Sequence, residues 1–379
     1  MSSSRVLEID ATRGAAMLGV VLSHSSQYLV PSASPLRHAL IDIGMVATPT
    51  FLLLSGVICS YLGSRQEGSV SQSRWRLIDR GLFLLLIAHL AFGLTHATWQ
   101  SLTAALGRSF YITDAVGVGL LAAALLMNRA NRVQLLVGGV GMLLGGWLLL
   151  YTATPHDGFD RSLLRLLVGL DASDDSDEGW IVPIVPYLGI FLIGMAGGLE
   201  YAARRARDTP RHVYVRFCFL AGFVAGGFAV ALKVMWLLSK QHLPAVWKPV
   251  IFQLTDPFMK IPPGLGYVLA YGGAGLLMAG VMIHLAGTAW GRRIVGSLAI
   301  VGRASLFVFL AQYWLISVPA RGFHVQGGAA FWFVMLLGAL CALAVLASAW
   351  DRAGGNRLLT LGLRRFAEPG APEELVSRS

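Results

Sequence analysis

Charge is scarce in this 379-residue sequence: Asp, Glu, Lys and Arg together make up 13%, against about a quarter in an average soluble domain. Cysteine is scarcer still. Cys59, Cys218 and Cys341 all fall inside apolar runs, which excludes a disulfide framework and zinc-ligand spacing. The chain also lacks a convincing internal repeat and any stretch polar enough to form a soluble domain.

What fills the sequence is apolar. Hydrophobic residues reach 55% and the mean hydropathy is +0.65, values that define an all-α, polytopic integral membrane protein. Segments of the roughly 17 to 25 residues that cross a bilayer as helices lie at 13–29, 39–63, 81–97, 110–127, 133–151, 183–201, 213–238, 264–286, 297–318 and 329–349. About ten spans place both termini on one side. Basic residues test this, because cytoplasmic segments concentrate Lys and Arg. With the N-terminus inside, the cytoplasmic segments hold 18 basic residues and the opposite loops 8. The expectation is N-in and C-in, with a transmembrane domain over 1–350 and a cytoplasmic tail over 351–379 that ends in disorder.

The same distribution accounts for the net charge of +10 and the pI of 9.9. Spread over five cytoplasmic segments, these charges signal topology and not nucleic-acid binding. A cleaved signal peptide is disfavoured, because His24 interrupts the first apolar run and removing that run spoils the charge alternation. The short N-terminus without a targeting extension points to a bacterial cytoplasmic membrane. Two longer outside connections differ in character. The first carries the acidic run DASDDSDEG at 171–179, without the spacing of a calcium loop. The second, LPAVWKPVIFQLTDPF, suits the membrane surface or the lining of an entrance. No metal site is expected.

The first span raises the functional question, since LEIDATRGAAMLGVVLSHSSQ carries Asp10, Arg13 and His24. At about 100° per residue, Arg13 and His24 lie about 20° apart around the helix and roughly 16 Å apart along it. They share a face, and Asp10 falls about 40° from His24 on the same projection, within side-chain reach of Arg13. An ionisable face of this kind must look into protein or water, because facing lipid is costly. One reading is structural: an Asp10–Arg13 ion pair anchoring the helix end and a histidine hydrogen-bonded inside the bundle. The other makes His24 a general base reached from both sides of the membrane.

The stretch IDATRGAAMLGVVLSH resembles the start of membrane-bound acyltransferases of acyltransferase family 3. More of the chain is similar to bacterial relatives of heparan-alpha-glucosaminide N-acetyltransferase. The supporting pieces are ATPTFLLLSGVICSYL at 47–62, DRGLFLLLIAHL at 79–90, YITDAVGVGLL at 111–121, PIVPYLGIFLIGMAGG at 183–198, KIPPGLGYVL at 260–269 and VGRASLFVFLAQYWLI at 301–316. Their order along nearly the whole chain makes the combination specific. The resemblance implies a membrane-embedded acyltransferase that takes an acyl group, most often acetyl, from cytoplasmic acyl-coenzyme A. The acceptor implied is a hydroxyl or amine of a sugar, polysaccharide or glycolipid. His24 matches the catalytic histidine, and Asp10 and Arg13 match the polar residues that accompany it. Acyl-coenzyme A is then a co-substrate, with no resident cofactor, and homo-oligomerisation stays open.

Thioester chemistry needs a base for the acceptor, a donor to the developing oxyanion and cations for the coenzyme's phosphates. His24 suits the first role as base or as transient acyl carrier, and Arg13 suits the pantetheine arm or charge stabilisation. Arg74, Arg76 and Arg80 form a cytoplasmic cluster able to hold phosphates, or they are ordinary positive-inside charge. Gln312 stands where the family often has a histidine, and PPG replaces PPS at 262–264. Gln312 and Asp114 are candidates for acceptor contacts, though an acidic residue at a helix start also serves structure alone. His89 and His96 read as helix contacts. The His-x4-Asp motif of soluble acyltransferases is missing, because three residues separate His38 from Asp42. A secondary transporter of a small polar solute shares these features, with paired broken helices or inverted repeats as its discriminator. A non-catalytic glycan- or lipid-binding membrane protein is the remaining alternative.

Overall fold

The computed structural model describes residues 6–65, 70–96, 101–107, 109–153, 158–170 and 181–363. Within them the regular structure is helical, apart from one isolated bridge between Phe110 and Ile181. The acidic run at 171–179 and the end of the tail at 364–379 lie outside the described residues.

The helices in chain order are α1 (Leu7–Leu29), α2 (Pro35–Gly44), α3 (Ala47–Arg65), α4 (Val70–Phe83), α5 (His89–His96), α6 (Leu102–Gly107), α7 (Ile112–Leu126), α8 (Arg132–Thr152) and α9 (Gly158–Val168). The second half holds α10 (Ile184–Ala206), α11 (Arg211–Ser239), α12 (Lys248–Thr255), α13 (Leu265–Leu285), α14 (Ala289–Arg303), α15 (Ser305–Gln312), α16 (Val318–Gly322) and α17 (Ala329–Arg352). Starts follow local chemistry. Asn131 and Gln134 close a reciprocal cap on α8, and Thr288 accepts the Gly291 N–H at the start of α14.

Each of the ten expected spans coincides with helix, but among the described residues seven helical stretches are long and apolar enough to cross a membrane, or eight if a bent pair is one span. Two expected spans fall short for physical reasons. α1 carries Glu8, Asp10, Arg13, His24 and three serines, and α7 is 15 residues long. The span expected at 297–318 is not straight: α14 meets the run from Ser305 to Gly322 at 70°. Among the described residues this is the single bent pair, where the transporter pattern requires two.

Small residues set the helix packing, as in membrane bundles generally. A β-carbon at Gly302 would collide with the Asp10 carbonyl, and one at Gly14 with the Leu298 carbonyl, so α1 and α14 touch backbone to backbone. Gly56 and Gly194 do the same for α3 and α10. The outward surfaces of α8, α11 and α17 expose Val137, Leu148, Leu220, Phe223, Phe228 and Val334, a lipid-facing skin around the polar interior.

Ion pairs gather at the end where α1 begins. Arg211 reaches Glu8 at 2.7 Å, Arg204 reaches Glu200 at 2.6 Å, and Arg303 holds Asp351 at 2.6 Å. The first residues of the tail fold back here. Asp79 on α4 is buried, and its carboxylate accepts the Leu361 N–H at 2.8 Å together with the Thr360 hydroxyl.

Candidate functional site

The polar face of α1 is built into two separate surroundings. Near its start, Arg13 donates from Nη2 to Ser305 Oγ at 2.7 Å. Ser305 opens α15 just after the 70° bend, so the break presents its side chain to the arginine. Arg13 Nε is buried and has no hydrogen-bond partner. Asp10 lies within electrostatic range of both Arg13 and Arg303, and Arg13 and Arg80 both act on the buried Cys59 thiol.

The expected arginine cluster divides. Arg74 turns inward and donates to the Met127 carbonyl at 3.0 Å, at the end of α7. Arg76 and Arg80 are exposed and lie one turn apart on α4, hence on one face. Two residues of separation put Arg74 about 200° from Arg76 around the helix, which is why three arginines close in sequence do not make one patch.

Towards the other end of α1, His24 faces residues almost 290 positions away. Its Nδ1 lies 3.1 Å from Gln312 Nε2 and its Nε2 lies 3.4 Å from Tyr313 Oη. Consecutive residues grip both ring nitrogens because a π-helical turn, Tyr313–Ser317, begins there. Such turns rotate side chains out of α-helical register and recur at functional sites. Gln312 is fully buried, with Oε1 unpartnered. The amide orientation sets the imidazole tautomer. With NH2 towards Nδ1, the ring hydrogen sits on Nε2; with Oε1 towards Nδ1, the lone pair moves to Nε2. Either orientation leaves one amide atom short of a partner, so rotation exchanges two similar states.

The surrounding wall is aromatic. The His24 ring packs against Tyr313 at 4.9 Å and Phe309 at 6.2 Å, and Phe92 stacks on Phe309 at 5.1 Å. His96 stands 5.4 Å from Tyr313 and 5.0 Å from Tyr111. His96 Nδ1 faces the Phe92 carbonyl at 3.1 Å, and a carbonyl only accepts, so Nδ1 carries the hydrogen. His24 itself is partly accessible, as a base reached by substrate must be.

Asp114 joins this wall from behind. Its Oδ2 lies 2.8 Å from His89 Nδ1 and accepts the Tyr111 N–H at 2.7 Å, capping α7. His89 Nε2 meets the Leu106 carbonyl at 3.1 Å. Both His89 nitrogens thus face oxygens, leaving the ring as a tie between helices and not as a base. A second π-helical turn, Leu84–Ala88, immediately precedes His89. Oδ1 of Asp114 is buried and unpartnered. The structure therefore brings His24 together with Gln312, and Arg13 with Ser305, while Asp114 is engaged by His89 and Arg74 by Met127.

Sequence reasoning missed Tyr313, Tyr111, Phe92, Phe309 and Ser305. Tyr313 had a signal, since it adjoins Gln312. The phenylalanines had none, because an aromatic in an apolar span reads the same whether it lines a site or fills a core.

A polytopic helical bundle that holds a half-buried histidine and arginine on one helix, each met by side chains from a broken helix, has the build of a membrane-embedded transferase. The family model described as "Heparan-alpha-glucosaminide N-acetyltransferase, catalytic" matches residues 5–224. That is more than half of the chain, which belongs to this family of membrane acetyltransferases. His24, Arg13 and Asp114 lie inside the matched region, and Gln312 and Tyr313 lie beyond it. No curated protein matches the chain.

Proposed function

We propose that the protein moves an acetyl group from cytoplasmic acetyl-coenzyme A to a hydroxyl or amine of a sugar, polysaccharide or glycolipid. It would do so in a bacterial cytoplasmic membrane, with about ten spans and both termini cytoplasmic. The observation that carries this reading is the Gln312–His24–Tyr313 grip, set about three helical turns from Arg13 on the same face of α1.

In this reading Arg13 and Arg80 receive the coenzyme at the cytoplasmic end, with Arg76 as an outer phosphate contact, and the thioester reaches towards His24. His24 takes the proton of the acceptor O–H or N–H while that atom attacks the thioester carbonyl. The tetrahedral oxyanion collapses, the C–S bond breaks, and the thiolate of coenzyme A takes the proton back from His24. The Tyr313 hydroxyl is placed to donate to developing negative charge. The alternative order has the imidazole attack first, giving an acyl-histidine and free coenzyme A, and then the acceptor. Asp10 supports Arg13 electrostatically, and Gln312 holds the imidazole in place. Asp114 contributes through its tie to His89, with Oδ1 left for an acceptor.

The test follows radiolabel from acetyl-coenzyme A into glycan and lipid fractions of membranes that contain the wild type or His24→Ala. His24-dependent label supports the reading and identifies the acceptor class. Equal label with both proteins, or with neither, overturns acetyl transfer through His24.

A further inference from the structure

All four lysines of the chain, Lys233, Lys240, Lys248 and Lys260, fall within one stretch at the end of α11, through α12, to the start of α13; every other basic residue is arginine. This stretch lies beyond the region matched by the family model. It also belongs to the end of the bundle where His24 sits. The Arg211–Glu8 pair brings the starts of α11 and α1 together, and both helices run the length of the bundle from there. On the expected topology these lysines sit outside, against the positive-inside bias.

Two of them are already in use for other purposes. Lys233 pairs with the buried Asp256 and lies over the Phe252 ring at 5.4 Å. Lys260 lies within electrostatic range of His24, and its backbone carbonyl accepts the Tyr187 hydroxyl at 2.8 Å. The other two, Lys240 and Lys248, line a cleft of about 420 Å³ with Trp236, Gln241, Pro249 and Phe252. Among the described residues neither forms an ion pair, and the nearby carboxylate of Asp256 is committed to Lys233. The floor is a Trp236–Phe252 aromatic pair at 5.6 Å. Close in sequence to the lining residues stand exposed apolar side chains, Leu238 at 74%, Val246 at 71% and Trp247 at 53%.

We propose that this cleft binds the phosphate of an anionic membrane amphiphile. Two ammonium groups that can each donate several hydrogen bonds suit a phosphate, Gln241 adds a polar group to the lining, and the apolar lining with its exposed apolar sequence neighbours suits the chain of a lipid and not a free anion. The inference stands apart from the acyl-transfer reading, and it places a lipid headgroup at the same end as His24.

Native mass spectrometry of the detergent-purified protein with phosphatidylglycerol tests it. The wild type should retain phosphatidylglycerol over phosphatidylcholine, and Lys240→Gln with Lys248→Gln should weaken retention about tenfold or more. Arg292→Gln with Arg293→Gln, at the opposite end, serves as the control and should leave this retention unchanged. Three results would overturn the proposal. Retention could be the same in the lysine variant. Inorganic phosphate at matched concentration could displace the lipid completely, which would make the cleft a free-phosphate site. Finally, phosphatidylglycerol could bind only after Asp174, Asp175, Asp177 and Glu178 are replaced by serine, which would mean that the acidic run holds the lysines.

Discussion

Arg13 lies towards one end of α1 and His24 towards the other, and the bundle treats them differently. Arg13 meets a hydroxyl, Ser305 Oγ, and keeps a buried Nε with no hydrogen-bond partner. His24 has both nitrogens faced by neighbouring side chains, within an aromatic wall. An arginine with unused donors is set up to receive an anion. A histidine gripped on both sides is set up to hold one orientation while a proton moves. On the proposed function, one helix separates donor binding from chemistry along its length, and α15 serves both places, with Ser305 at its start on Arg13 and Gln312 at its end on His24.

The largest expected effect breaks the comparison outright. Gly302→Val puts a side chain into the Asp10 carbonyl and forces α1 away from α14, so both ends should fail together. The expected outcome is little folded protein by thermal unfolding of the detergent-purified sample, since overpacking of this kind costs about 1–3 kcal/mol or more. Next in size, His24→Ala should leave folding intact and lower kcat by about 10²–10⁴-fold, with acetyl-coenzyme A still bound, as measured by equilibrium binding of the labelled coenzyme.

These two predictions draw on information of unequal visibility. The helices were legible from apolar run length alone, and the shared face of Arg13 and His24 followed from helical geometry. The bend at Ala304 was not, because GRASLF at 302–307 carries no proline and its Gly302, Arg303 and Ser305 are each compatible with a continuous helix. The division of Arg74 from Arg76 was open to the same angular arithmetic that paired Arg13 with His24. The Gln312 and Tyr313 contacts to His24 join residues 288 and 289 positions apart, and no local pattern encodes such a pairing. Resemblance marked Gln312 as a departure, and only the packing gives it a role on the imidazole. Asp114 was visible as an acidic helix start, but its tie to His89 depends on how α5 and α7 meet.

The remaining predictions sharpen the comparison. Arg13→Ala should raise KM for acetyl-coenzyme A by about 10-fold or more, the scale of a lost charged hydrogen bond, with a smaller effect on kcat. Gln312→Ala should do the reverse, lowering kcat by about tenfold at unchanged KM, because it releases the imidazole while leaving the donor end intact. If Gln312→Ala shifts KM and Arg13→Ala shifts kcat, the division of labour along α1 is wrong. Smallest of all, Arg76→Ala should raise KM only a few-fold, and the effect should shrink as salt rises, because that side chain is exposed.

The most direct test of the account is label transfer from acetyl-coenzyme A in proteoliposomes that hold the acceptor fraction and either wild-type protein or His24→Ala, with folding of both verified. The account predicts label in the acceptor with the wild type and essentially none with His24→Ala. Label of equal amount with the two proteins would contradict it, because acyl transfer would then proceed without the imidazole around which this end of the bundle is built.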